Sequence, residues 1–362
     1  MKLPPLNGIR ILCLAEQYPG PYATMLLADL GAEVVIVERP QGGDPARAFP
    51  SFHGALNRNK RAITLDLKTD EGKSRLERLI ANADVFMEGY RPGTITRLGF
   101  GPQAVRNAHP SLIYVSISGY GQDGPQRDRP AHDLSYQTMA GLLFNLAAGS
   151  GHQPPSEVAV GDLSSGLFAA LGIVTALFAR TRSGEGTYID VSMTDGLVSL
   201  MSVFLAGALN GTEIADIGAE PAYALFTCGD GKRLSLSIAH EDWFWRSLCG
   251  MLDLPQHGDL ARAERVVRAA ELRADIATML ASQPRSHWAA ALEQAGIPWG
   301  PVNSLGEVIA EPQFSERGLF VTAEEDTAPG ARYVRQPLLF DGRAFPIRRG
   351  VPALGEANAE YP

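Results

Sequence analysis

Three observations predict an α/β fold with a parallel sheet. Short apolar runs of strand length recur up to Ser118. Amphipathic helical stretches separate them. The runs are continuous rather than alternating, as in strands covered on both faces. Ile9–Leu14 is the first strand. A turn at Tyr18-Pro19-Gly20-Pro21 leads into a helix that ends near Leu30 at Gly31, with Pro21 in its first turn. Glu33–Val37 and Ala62–Leu67 are the next strands. Thr69 caps a helix running to about Ala83, with Asp70 and Glu71 near its positive end. Val85–Met87 and Leu112–Ser118 complete the series.

The middle of the chain is more helical. Asp133–Leu146 and Asp162–Ala179 carry helical patterns, and Asp162 after Gly161 stands where an N-cap belongs. Thr187–Met193 is a strand, and Thr194 caps a long apolar helix to about Leu209. Composition changes at Asn210–Glu220, rich in Gly and acidic residues, which marks a domain boundary. Beyond it, Tyr223–Cys228 and Arg233–Ile238 flank an Asp-Gly turn and form a hairpin. Helices follow at Asp242–Met251, Leu260–Ala281 and Ser286–Ala295, and Gly296–Pro301 closes the smaller domain. The division is therefore 1–210, 211–320, and a Gly- and Pro-rich segment 321–362 returning to the first domain.

Composition narrows the function. The 362 residues include 40 Asp and Glu against 32 Lys and Arg, a net charge of −8, which argues against a broad nucleic-acid surface. Three cysteines without CxxC spacing argue against a disulfide framework or a cysteine zinc site. The N-terminus does not read as a signal peptide. The apolar run Leu167–Ala179 is too short to span a bilayer and reads as a buried helix. A reduced, cytoplasmic setting without membrane or nucleic-acid partners is expected.

Familiar motifs fail. The first strand–turn–helix lacks G-x-G-x-x-G, and there is neither a Walker A sequence nor a G-x-S-x-G elbow. His240-Glu241 begins like HExxH, but Phe244 stands where the second histidine belongs, so no metal site is expected. What remains is a set of loops at predicted strand ends, where α/β proteins place ligands. They supply Arg39, Lys60, Arg61, Arg91 and Arg97, a basic cluster suited to a polyphosphate ligand. Ordinary surface ion pairs are the alternative for these residues.

Seven segments carry a family resemblance: GPYATMLLADLGAEVVIVERPQGGD (20–44), NRNKRAITLDLK (57–68), EGYRPGTITRLGFGP (88–102), SISGYGQDGP (116–125), AHDLSYQTMAGL (131–142), GDLSSGLFAALGIVTALFARTRSGEG (161–186) and VSMTDG (191–196). In this order and spacing the chain resembles the family III CoA-transferases, also called CaiB/BaiF, a group that includes α-methylacyl-CoA racemase. The resemblance implies a large Rossmann-like domain with a parallel sheet, a smaller α/β domain, and an interlocked homodimer. It implies a CoA thioester as substrate and no permanently bound cofactor. By matching positions, Arg39, Leu65, Lys68, Tyr90, Arg91, Arg97 and Leu98 would line the CoA site. Gly89 replaces the Asn common there.

The resemblance also divides the chemistry in two. Asp162 matches a carboxylate that transferases use as a nucleophile and racemases use for proton transfer. His132 matches the second proton-transfer group of the racemases. Inverting an α-carbon requires groups on opposite faces of the substrate, and a histidine and a shielded carboxylate both titrate usefully near neutrality. Glu241 matches a racemase glutamate that orients the histidine, and Asp133 is an alternative orienting group. The segment Leu209–Tyr223 is short and lacks the glycine-rich loop frequent in transferases. The expected activity is α-proton exchange on 2-methylacyl-CoA thioesters, with CoA transfer between carboxylic acids as the alternative. As structural residues, Asp162 is an N-cap, His132 a loop histidine and Glu241 a first-turn acid.

Overall fold

The computed structural model describes residues 3–143, 158–212, 217–324 and 330–362. They form two compact units. One holds the described residues of 3–143, 158–202 and 313–362, and the other those between 203 and 312.

The first unit is built on six parallel strands. They are β1 (Arg10–Cys13), β2 (Glu33–Glu38), β3 (Lys60–Thr64), β4 (Val85–Glu88), β5 (Ile113–Ser118) and β6 (Tyr188–Ser192). Their order is β3-β2-β1-β4-β5-β6. The sequence reverses direction between β1 and β4, so a crevice opens where their carboxyl ends diverge. Among the described residues, these helices accompany the strands: α1 (Pro19–Asp29), α2 (Pro50–Leu56), α3 (Asp70–Ala81), α4 (Thr94–Arg97), α5 (Pro102–Ala108), α6 (Asp133–Met139), α7 (Val160–Ser183) and α8 (Met193–Leu200), while α9 (Ser202–Asn210) follows at the start of the second unit. The period of two along each strand supplies both faces of the sheet. Ile11 and Cys13 of β1 join a core with Leu27 of α1 and Ile173 of α7. Leu12 and Leu14 join another with Leu76 and Ile80 of α3.

Local chemistry sets several boundaries. The Thr69 hydroxyl accepts the Gly72 N–H at 3.0 Å and starts α3. The helix carrying Asp162 begins earlier than its sequence suggests. It starts at Val160, with Ala159 as N-cap, so Asp162 is a first-turn residue and not the cap. The helix after β6 is capped by Ser192 rather than Thr194, and it breaks at Met201 instead of running on to Leu209. α6 stops at Met139, and the expected continuation through residues 144–146 lies outside the described residues. The apolar run at Leu167–Ala179 is part of a 24-residue helix that is long and apolar enough to cross a membrane by length and composition, contrary to the shorter span read from the sequence. One side of it packs in the sheet core, while Leu167, Leu171, Val174 and Phe178 form an exposed stripe.

The basic segment Asn57–Arg61 is structural rather than ligand-facing. Lys60 lies within β3, fully buried, and its ammonium donates to Pro21 O at 2.9 Å and Asn57 Oδ1 at 2.8 Å. Burial pushes it down to about 7. Arg58 is buried against Asp29 of α1, with Nη2 donating to Oδ2 at 2.7 Å. Arg61 pairs with Glu360. Replacing Asp29 by Ala leaves Arg58 charged, buried and unpaired, and is expected to cost about 3–5 kcal/mol. Urea unfolding followed by circular dichroism checks this, and an unchanged midpoint contradicts it.

The C-terminal segment hydrogen-bonds to the sheet edge. The Ala357 N–H donates to Ala62 O at 3.0 Å, and the Tyr361 hydroxyl donates to Glu33 Oε1 at 2.6 Å.

The second unit has its own sheet, β7 (Tyr223–Thr227), β8 (Arg233–Ser237) and β9 (Trp299–Pro301), all antiparallel in that order. Gly296–Pro301, expected from sequence to close this domain, contains this third strand. α10 (Asp242–Met251), α11 (Arg262–Val267), α12 (Ala269–Leu280) and α13 (Arg285–Gln294) surround the sheet. The expected helix Leu260–Ala281 is two helices, broken at Arg268.

Candidate active site

A cavity of about 290 Å³ opens at the crevice between β1 and β4. Its wall comes from three strand-end loops and two helix starts. Ala15–Pro19 follow β1, Gly89–Pro92 follow β4 and Ser118–Tyr120 follow β5. His132 and Asp133 open α6, and Asp162 lies in the first turn of α7.

The loop after β4 is held from below. Glu88 is buried at the strand end, and its Oε2 accepts the Tyr90 N–H at 2.9 Å. Burial pushes this carboxyl up to about 7. The bond orders the turn that presents Tyr90 and Arg91 to the cavity. Gly89 has a steric reason. A Cβ there would stand 3.0 Å from Ala15 Cβ and 3.2 Å from Ala15 Cα, so the close approach of the two loops leaves little room for a side chain.

His132 is the N-cap residue of α6, exposed, and its side chain makes no capping hydrogen bond. Asp133 next to it has both carboxylate oxygens engaged. Oδ1 accepts the backbone N–H of Asp162 at 3.0 Å, and Oδ2 accepts from Gln137 Nε2. Asp133 therefore holds Asp162, rather than orienting His132. Burial, reinforced by the charge of Asp133, pushes the Asp162 carboxyl up to about 7. Tyr136 packs edge-on against Tyr120 at 5.4 Å, and its hydroxyl donates to Ala131 O at 3.1 Å. A carboxyl poised near neutrality, on a cavity that an imidazole also lines, can give or accept a proton at neutral pH.

The structure brings together His132, Asp162, Tyr90 and Arg91. The other sequence-selected residues lie elsewhere. Arg39 is exposed beyond β2, where its Nε donates to Gly43 O at 2.8 Å. Leu65 is a buried core residue, and Lys68 is exposed before α3. Leu98, like Tyr90, packs against the core that includes Leu12 and Ile95. Arg97 Nη2 donates to Thr94 Oγ1 at 2.9 Å. Its guanidinium and that of Arg127 flank Gly93, with Nη1 of the first and Nη2 of the second 3.3 and 3.9 Å from where a Cβ would be. Of the five basic residues grouped from sequence, only Arg91 lines the cavity. Glu241 belongs to the second unit, as the N-cap residue of α10. Its carboxylate accepts the Ala239 N–H at 2.9 Å, which pulls its titration down.

Sequence reading missed Arg127 and Arg129, both of which line the cavity. Their signal was two arginines between a Gly-Pro turn and His132, in a segment without periodicity. It also gave no role to Glu16 and Tyr120, which share the wall. Met193 reaches the cavity, while Leu197 and Met201 of the same apolar stretch are core residues.

Comparison with known proteins gives a consistent result. A family model described as CoA-transferase family III matches residues 6–358. The chain is 33% identical to a succinate–glutarate CoA-transferase of Agrobacterium fabrum, across 99% of this chain and 94% of that one. It is also 33% identical to the α-methylacyl-CoA racemase of Homo sapiens, across 98% of this chain and 92% of that one. A crystal structure of a CAIB/BAIF family protein from Brucella suis superposes with a TM-score of 0.87 at 29% identity, covering 100% of both chains. The same six-stranded parallel sheet, with its cavity at the crevice, therefore sits in a chain matched almost end to end, and the protein belongs to CoA-transferase family III.

Proposed function

We propose that the protein is an α-methylacyl-CoA racemase-like enzyme, exchanging the α-proton of a 2-methylacyl-CoA between His132 and Asp162. The carrying observation is that both side chains line one cavity and that the Asp162 carboxyl titrates near 7. A carboxyl at that value serves equally as proton acceptor and donor at neutral pH. The Asp162 carboxylate takes the α-proton, and the C–H electron pair moves into the thioester carbonyl to give an enolate. Protonated His132 delivers a proton to the opposite face and the carbonyl reforms. In the reverse direction the roles exchange.

The CoA portion is assigned to Tyr90 and Arg91 at the cavity, with Arg97 and Leu98 just behind that loop. Arg39, Leu65 and Lys68 are proposed to lie along the nucleotide's path at the ends of β2 and β3. Arg91→Ala is expected to weaken acyl-CoA binding about tenfold or more, the loss of one charge-assisted contact to phosphate. Isothermal titration reads this, and an unchanged Kd removes Arg91 from the CoA site. Homodimerisation is proposed too. It is supported by the exposed stripe Leu167, Leu171, Val174 and Phe178 on α7, which calls for cover.

CoA transfer is the second reading, favoured by a transferase relative as similar as the racemase. One enantiomer of 2-methylacyl-CoA in D₂O, with and without an added carboxylic acid, separates the two. Deuterium at the α-carbon with inversion, independent of the acid, is the expected result. CoA passing to the added acid with the α-proton retained overturns it and makes Asp162 a nucleophile.

A further inference from the structure

We propose that Asp133 is a positioning residue for the reaction: its carboxylate is the N-cap that α7 lacks locally, and it fixes Asp162 at the cavity. The inference rests on Asp162 being the reacting carboxyl. α7 is a 24-residue helix whose N-cap residue, Ala159, has no side chain able to accept a hydrogen bond. The first N–H groups of any helix need acceptors from outside it. Asp133 Oδ1 supplies one by accepting the Asp162 N–H at 3.0 Å, from another helix 29 residues earlier in the chain. The approach is tight. A Cβ on Gly161 would stand 2.8 Å from Asp133 Oδ1 and 3.0 Å from Leu197 Cδ1, so glycine leaves the space that the carboxylate enters. The second oxygen, Oδ2, is anchored by Gln137, which is buried one turn along α6.

This arrangement makes one dipeptide do two jobs. His132 presents the imidazole, and Asp133 grips the residue presenting the carboxyl. The backbone that carries His132 is thereby tied to the backbone that carries Asp162. Asp133 also acts by charge, because it is the ionised neighbour that disfavours a negative Asp162. Other ionisable groups share the wall. From α6 there is Tyr136, and from the loops after β1 and β4 there are Glu16, Tyr90 and Arg91. Tyr120 follows β5, and Arg127, Asp128, Arg129 and His132 precede α6. Among all of these, burial and Asp133 are what raise Asp162.

Two variants separate position from charge. Asp133→Asn keeps an oxygen for the Asp162 N–H. Its new amide can donate to Gln137 Oε1, a buried atom without a partner, once the Gln137 amide turns over. Position is kept and charge is lost. The Asp162 carboxyl, followed by carbon-13 NMR in substrate-free enzyme, is expected to titrate about one pH unit lower. The acid limb of kcat/KM should move with it while the plateau kcat stays within a few-fold. Asp133→Ala loses both functions, and kcat should fall about tenfold or more with KM little changed, rescued by the Asn variant. An unmoved Asp162 titration in Asp133→Asn, or wild-type kcat in Asp133→Ala, overturns the proposal. The NMR titration is read without turnover, so it judges Asp133 even where Asp162→Asn shows that the assigned reaction is wrong.

Discussion

Asp162→Asn abolishes inversion and slows α-proton exchange about 10²–10⁴-fold for the enantiomer whose proton faces residue 162. The substitution is nearly isosteric, and the backbone N–H that Asp133 accepts is untouched, so the first turn of α7 keeps its place. What goes is the proton site. An amide neither takes the α-proton nor returns it, so acyl-CoA affinity persists while inversion disappears. The wild-type pH profile carries the same argument with a sign. The carboxyl must be ionised to take a proton, and burial together with Asp133 holds it near 7. For the enantiomer whose α-proton faces Asp162, the acid limb of kcat/KM therefore rises about tenfold per pH unit below 7. An acid limb centred near 4 would mean that the carboxyl is solvated in the working enzyme and that burial does not tune it. Loss of activity in Asp162→Asn alone does not separate proton transfer from nucleophilic attack. Hydroxylamine does: an aspartyl anhydride or thioester is captured as a hydroxamate at Asp162, whereas an enolate mechanism leaves that side chain unmodified.

The sheet was legible because its signal is local. Ile11–Leu14 and Val34–Val37 are apolar on both faces, and such runs mark strands of a covered parallel sheet. The cap at Thr69 was legible for the same reason, since donor and acceptor are three residues apart. What failed was decided at long range. Asp162 reads as an N-cap because Gly161 precedes it, yet the helix starts at Val160 and the capping group comes from Asp133. Lys60 and Arg61 read as ligand-facing cations. Their partners are Asn57 Oδ1, the Pro21 carbonyl and the Glu360 carboxylate, of which Pro21 and Glu360 reach β3 only on folding. The strand Trp299–Pro301 contains glycine and proline and is defined by pairing with Leu234–Leu236. His132 and Asp162 were legible through the family pattern alone. Nothing in their local sequence announces that they meet at one cavity.

Replacing His132 by Ala is expected to break the symmetry between enantiomers, not merely slow the enzyme. The side chain is exposed and caps nothing, so its removal should shift stability by no more than about 0.5 kcal/mol. Asp162 keeps its position and titration. The enantiomer whose α-proton points at Asp162 can still lose it to the carboxylate and regain one from the same face. In D₂O it should take up deuterium with retained configuration. The enantiomer whose proton points at residue 132 meets a methyl group and should exchange about 10²–10⁴-fold more slowly. Inversion should vanish for both, because each requires delivery from the opposite face. Added imidazole, small enough for the space left behind, should restore part of the inversion. Chiral analysis and mass spectrometry of recovered thioester read these outcomes. Equal exchange of both enantiomers by the variant would show that one group serves both faces, which contradicts a two-base site. Undiminished CoA transfer to an added acid would instead give His132 a structural role and leave Asp162 to act alone as the nucleophile.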